Sequence, residues 1–246
     1  MTCALKLSYK GTAYCGWQVQ KNARSVQQTL QDAMEAAFGS RGTVTGCSRT
    51  DAGVHAKGFV CKAEGLPEGI PVCRVPEALG RRLPPDIAVR EAWPVPESFH
   101  PRYDAKGKEY SYRIRNSRLS DPFDVEFASL WFPPIDEKKA DALCKQFCGT
   151  RDFRSFQAAG SDVTDTVRTV IDFSCRREGE LVIFTVQANG FLYNMARILV
   201  GTVLDLLSTD DPSPEERAKE ILASRDRACA GRTMPAKGLC LERVFY

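Results

Sequence analysis

The chain has 246 residues, enough to bury the core of one large domain or two small ones. Apolar residues make up 43% and charged residues 26%, the balance of a folded globular protein rather than a disordered or fibrous one. With 34 basic against 31 acidic residues the net charge is only +3, so overall charge does not single out nucleic acid as a partner.

The distribution of charge says more. Six basic residues (Arg102, Lys106, Lys108, Arg113, Arg115, Arg118) face only two acids, Asp104 and Glu109, in a short stretch that also holds Tyr103, Tyr110 and Tyr112. Ten cysteines would suit a disulfide scaffold, but the chain is not small and its start shows no charged-then-apolar leader. No Cys-x-x-Cys pair occurs, Cys144 and Cys148 have no second pair at ligand spacing, and His55 and His100 are the only histidines. The cysteines therefore read as small apolar residues in a reducing cytoplasm, with no metal expected. The longest apolar helix pattern, 191–207, contains Asn194, Arg197 and Asp205 and does not read as a membrane span.

In chain order, 4–9 alternates as a strand, and 10–18 is a loop bearing Gly11, Gly16, Tyr14 and Trp17. Ser25, followed three residues later by Gln28, predicts a capped helix with Val26, Leu30, Ala33, Met34 and Ala37 inward and Gly39 as its stop. Two strands, 42–47 and 54–63, flank the stretch Ser48-Arg49-Thr50-Asp51-Ala52-Gly53. That stretch has two readings. It is an ordinary Asp–Gly turn, or it is a carboxylate held ionised by a neighbouring Arg at a strand end. A short helix at 76–83 and a strand at 87–93 follow.

The segment 94–102, with Pro94, Pro96 and Pro101, reads as a connection, after which the element order repeats. Residues 108–115 form a strand with Tyr110, Tyr112 and Ile114 on one face. Asp136 caps a helix, 167–175 and 181–188 pair as strands, 191–207 and 214–224 are helices, and 238–246 is a closing strand. The pattern predicts two α+β halves, 1–103 and 104–246, each an antiparallel sheet with helices on one face. On pattern alone, Tyr110 is either a core aromatic or a ring on which a base stacks. Arg197, off the apolar stripe of its helix, reads either as part of a solvated face or as a functional cation.

Ser48-Arg49-Thr50-Asp51-Ala52-Gly53-Val54-His55-Ala56 closely resembles the signature of the TruA family of tRNA pseudouridine synthases, with Ser48 in place of the usual Gly and Phe59 where that family tends to have Gln. Tyr14-Cys15-Gly16-Trp17-Gln18, Ser25-Val26-Gln27, Phe99-His100-Pro101-Arg102-Tyr103 and the stretch Asn189 to Arg197 resemble further family segments, in the same order. The resemblance implies two ferredoxin-like halves joined edge to edge, with the active site in the cleft between them. It implies an isomerase that converts uridine to pseudouridine in the anticodon arm of tRNA, at tRNA positions 38 to 40. Asp51 would be the catalytic residue, as nucleophile or base, with Arg49 and Arg197 supporting it and Tyr110 contacting the substrate. No cofactor is implied, and the acting form would be a homodimer. The alternatives are a non-catalytic RNA-binding module, which gains nothing from a carboxylate near phosphates, and a related synthase with shifted RNA targets, which Ser48 and Phe59 leave open.

Overall fold

The computed structural model describes every residue except Asn22 and Asp210, and contains ten strands and five α-helices among the described residues. The chain divides into two compact units, Met1–Lys106 with Cys240–Tyr246, and Gly107–Leu239.

The first unit begins with β1 (Cys3–Tyr9), α1 (Val26–Phe38), β2 (Thr43–Gly46), β3 (His55–Glu64), α2 (Val75–Gly80) and β4 (Ile87–Pro94). β1 runs antiparallel to both β3 and β4. The helix signals act as expected at α1: the Ser25 side chain accepts the Gln28 N–H, and Gly39, at φ 71°, closes the last turn with its N–H on the Glu35 carbonyl. Val26, Leu30, Ala33 and Met34 are buried, while Ala37 is half-buried. Leu5, Leu7, Leu30, Met34, Phe59 and Cys61 are among the residues fully withdrawn from solvent.

The second unit comprises β5 (Gly107–Arg115), β6 (Ser129–Leu130), α3 (Glu137–Gln146), β7 (Gly149–Asp152), β8 (Val167–Glu178), β9 (Leu181–Ala188), α4 (Met195–Leu207) and α5 (Pro214–Ser224). Its strands run in the order β5-β9-β8-β7, all antiparallel, with the short β6 parallel to β5. Asp136 caps α3 by accepting the N–H groups of Lys138 and Lys139. Phe156, Phe147, Phe173 and Phe184 form, in that order, a run of ring contacts, each 5.4 to 6.3 Å from the next. The helix expected from Phe191 starts only at Met195, because Asn194 takes a left-handed conformation (φ 61°) that helical geometry does not allow.

The last strand, β10 (Leu239–Phe245), corrects the expected boundary, which assigned everything from 104 onward to the second half. β10 pairs in parallel with β3, Cys240 opposite His55 and Leu241 opposite Ala56, and the Lys106 N–H donates to the Phe245 carbonyl at 2.8 Å. Residues 240–246 therefore complete the first unit. β2 and β10 share one edge of β3 at its opposite ends, since β2 pairs with Cys61 to Glu64. No helix among the described residues is long and apolar enough to cross a membrane.

Candidate functional site

Asp51 lies in the connection 47–54 between β2 and β3, and the backbone on both sides of it is pinned by the loop that follows β1. The Thr50 carbonyl accepts the Trp17 N–H at 3.1 Å, and the Gly53 N–H donates to the Tyr14 carbonyl at 3.3 Å. Thr50 Oγ1 and the Tyr9 hydroxyl are 2.8 Å apart in a buried hydrogen bond. The Val54 N–H donates to the Asp51 carbonyl at 3.1 Å and closes the turn, with Gly53 at φ 79°. The two backbones approach so closely that only glycine fits on the β1 side. A Cβ on Gly11 would stand 2.0 Å from the Val54 carbonyl oxygen, and one on Gly16, itself at φ 87°, would stand 2.5 Å from the Thr50 carbonyl oxygen. The Gly and Tyr-x-Gly-Trp pattern of 11–17 thus has a physical purpose: it presses one loop against the other.

Phe59 stacks on Trp17, with ring centroids 4.1 Å apart, and lies fully buried beside Tyr9. It is part of the floor under the loop, a packing residue with no exposed surface. Gly46 makes room for this pair, since a Cβ there would meet Trp17 at 2.5 Å and Phe59 at 2.8 Å. Asp51 is half-buried and Arg49 exposed. Both belong to the first unit, and Tyr110 and Arg197 belong to the second.

Arg197 projects from the first turn of α4 and is half-buried. Its Nη1 donates to Asn194 Oδ1 at 2.7 Å and its Nε to the Met234 carbonyl at 2.6 Å. The face of α4 for which a solvated surface is one reading of the sequence is covered by the segment 231–234. The Gly231 N–H donates to Thr202 Oγ1 at 2.9 Å, and Asp205 accepts from both the backbone N–H and the Nε of Arg232, at 2.9 and 2.7 Å. A Cβ on Gly201 would lie 1.9 Å from the Arg232 carbonyl oxygen, so the strap sits directly on the helix. The arginine is therefore aimed by two acceptors.

Tyr110 is only 6% exposed, and its ring meets Phe191 edge-on at 4.9 Å. Tyr112, two residues on, is an internal residue. Its hydroxyl is 2.7 Å from both Ser129 Oγ and the Pro235 carbonyl, and burial raises its phenol well above the ordinary tyrosine range.

Burial dominates the thiols as well. It pushes Cys3 up to about 11 and Cys61 and Cys144 well above the usual thiol range, which keeps them protonated and makes them apolar filling. Cys15, Cys73 and Cys229 differ from that expectation in being exposed. Among the described residues no three His, Cys, Asp or Glu side chains converge as a metal-ligand group.

Asn194 and His55 fall within the motifs, and the sequence by itself gives neither a task. The signal for Asn194 was its spacing, three residues ahead of an arginine, in a residue type that tolerates positive φ.

The structure thus holds a half-buried carboxylate on a clamped loop in one unit, and a doubly anchored arginine and a buried tyrosine in the other. Comparison with known proteins gives the family. The sequence model described as tRNA pseudouridine synthase matches residues 7–104 and 143–246. Three curated relatives, each called tRNA pseudouridine synthase A, come from Clostridium kluyveri (42% identity over 242 residues, 98% of both chains), Halalkalibacterium halodurans (44% over 240 residues, 97% of this chain and 90% of that one) and Clostridium acetobutylicum (40% over 242 residues, 98% of both). The chain belongs to the tRNA pseudouridine synthase family. Asp51 and Arg197 fall inside the matched residues, and Tyr110 falls in the intervening 105–142.

Proposed function

We propose that this chain isomerises uridine to pseudouridine in the anticodon arm of tRNA, with Asp51 as the catalytic carboxylate. The observation that carries this reading is the clamp: the backbone before and after Asp51 is fixed by the bonds from Trp17 and Tyr14 and by the buried Tyr9–Thr50 pair. Two glycines in steric contact with the carbonyls of this turn fix where it stands, the condition for presenting a carboxylate in one place.

The reaction breaks the glycosidic C–N bond, turns the uracil and forms a C–C bond, so no atom enters or leaves. One carboxylate suffices, acting as nucleophile or base and then restored. Hydrolysis of a glycosidic bond, in contrast, ordinarily uses two carboxylates. In this reading Arg197, held by Asn194 and Met234, pairs with Asp51 and keeps it ionised. Arg49, exposed on the same loop, meets a phosphate or helps to hold the loop. Tyr110 contacts the base once it is turned out of the stack. The arrangement that would serve this chemistry is two ferredoxin-like halves joined edge to edge, with the cleft between them and two copies of the chain acting on one tRNA in the cytoplasm.

The test is Asp51→Asn, which keeps the shape of the side chain and removes its capacity to act as nucleophile or base. Release of tritium from uracil-labelled tRNA should vanish, while a gel shift shows tRNA binding intact and thermal melting shows an unchanged fold. Activity within about tenfold of the parent would overturn the assignment of Asp51. Mapping pseudouridine in tRNA from cells with and without the gene identifies the uridines. Marks lost outside the anticodon arm would favour the reading of a related synthase with shifted targets.

A further inference from the structure

Four residues beyond Asp51, His55 opens β3 as a buried side chain, 4% exposed. Its Nδ1 accepts the Gly11 N–H at 3.0 Å. A ring nitrogen that accepts carries no proton, so a neutral His55 in this arrangement has its hydrogen on Nε2. Gly11 is the residue whose backbone lies against Val54, with space for no side chain between them. His55 is itself fixed from the other side, because its backbone pairs with Cys240 of β10. The Gly11–His55 bond therefore ties the loop after β1 to the strand that follows Asp51. It is a side-chain bond in a clamp otherwise made by Trp17, Tyr14 and the Tyr9–Thr50 pair. Without it, the stretch that begins at Gly11 loses a side-chain anchor to β3, and the Gly53–Tyr14 bond that also ties this stretch to the descending side of the turn is a long one, at 3.3 Å.

We propose that His55 is a positioning residue for the reaction: through the Gly11 N–H it sets where the Asp51 carboxylate stands relative to the uridine sugar. The role rests on the reading of Asp51 given above. It predicts an effect on the chemical step more than on tRNA capture, because His55 is buried, meets no phosphate itself, and acts on the backbone of the strand that follows Asp51. A displacement of the carboxylate by about 1 Å is enough to cost on the order of 100-fold.

Two substitutions separate this role from simple filling of space. In His55→Asn the amide oxygen can occupy the place of Nδ1 and accept the Gly11 N–H. In His55→Gln the amide lies one carbon further out, near the place of Nε2, and the acceptor is lost. Turnover of a full-length tRNA transcript is measured for both, together with melting curves. The expected result is that His55→Asn keeps kcat within about threefold of the parent. His55→Gln should lose tenfold or more in kcat, with KM within about threefold and most of the protein folded at the assay temperature. Equal kcat for the Asn and Gln variants, or a loss in the Gln variant that matches its unfolded fraction, overturns the proposal. Asp51→Asn is assayed beside them. If it is active, the reading of Asp51 fails and this role falls with it. If it is inactive while the two His55 variants behave alike, only the role of His55 fails.

Discussion

Asn194 and Arg197 are joined across the first turn of α4 by a 2.7 Å bond from Arg197 Nη1 to Asn194 Oδ1, and Asn194 makes that bond from a left-handed backbone, φ 61°. One residue thus performs two jobs that substitution can separate. Asn194→Ala removes the acceptor and places a residue that poorly tolerates this conformation there, at a cost of about 1–2 kcal/mol. For a chain of this size that corresponds to a fall in melting temperature of roughly 2–8 °C. Asn194→Gly removes the same acceptor without the backbone cost and should melt close to the parent. Both should share one loss in kcat, because both free Arg197 from the same partner. Equal melting temperatures for the Ala and Gly variants would show that the left-handed position stores no strain.

The Tyr110 ring has little free face, so a base stacks on it only if covering atoms move. Base stacking on an aromatic is worth roughly 1–3 kcal/mol, so Tyr110→Ala should lose at least about one to two powers of ten in kcat/KM. Tyr110→Phe recovers most of that if the ring face is what matters, and resembles Ala if the hydroxyl moves a proton. A Tyr110→Ala protein that loses activity only as it loses folded fraction would assign the residue to the core with Phe191.

The third prediction concerns alkaline stability. The Tyr14 hydroxyl donates to Asp86 Oδ1 at 2.8 Å, and burial first, then this bond, push its phenol up to about 12. The unfolded value is near 10. The folded state therefore holds this proton more tightly than the unfolded state between the two values. The resulting stabilisation is complete below about pH 10 and declines as pH rises toward 12. Tyr14→Phe should be less stable than the parent by about 1 kcal/mol at pH 8, and the gap should narrow between pH 10 and 12. Urea midpoints across that range check it, and a gap that stays constant through pH 12 would contradict the linkage.

What could be seen in the sequence was local chemistry. Ser25 before Gln28, Asp136 before Lys138 and Lys139, and the Pro214–Ser224 pattern each name their own element, because a cap or a proline acts within one turn. The family was visible for a different reason: a nine-residue signature with one change is too specific to arise by chance. What stayed hidden depends on contacts between residues far apart in the chain. The polar face of α4 looks solvated until residues 231–234 are laid over Gly201 and Asp205. Phe59 looks like a substrate-side change until Trp17 is stacked on it. The short strands β6 and β7 have too few residues to show a period, and each exists because a longer strand offers it an edge.

The return of β10 to the first unit sets an order of events during synthesis. Residues 107–239, a compact body of their own, come before Cys240 and Leu241, the residues that pair with His55 and Ala56. Until then one end of β3, the end that leads directly out of the Asp51 loop, offers an unpaired strand edge of the kind that invites intermolecular pairing. A chain that stops short of residue 240 would thus carry its carboxylate loop on an incomplete sheet, however well the residues of its second unit fold.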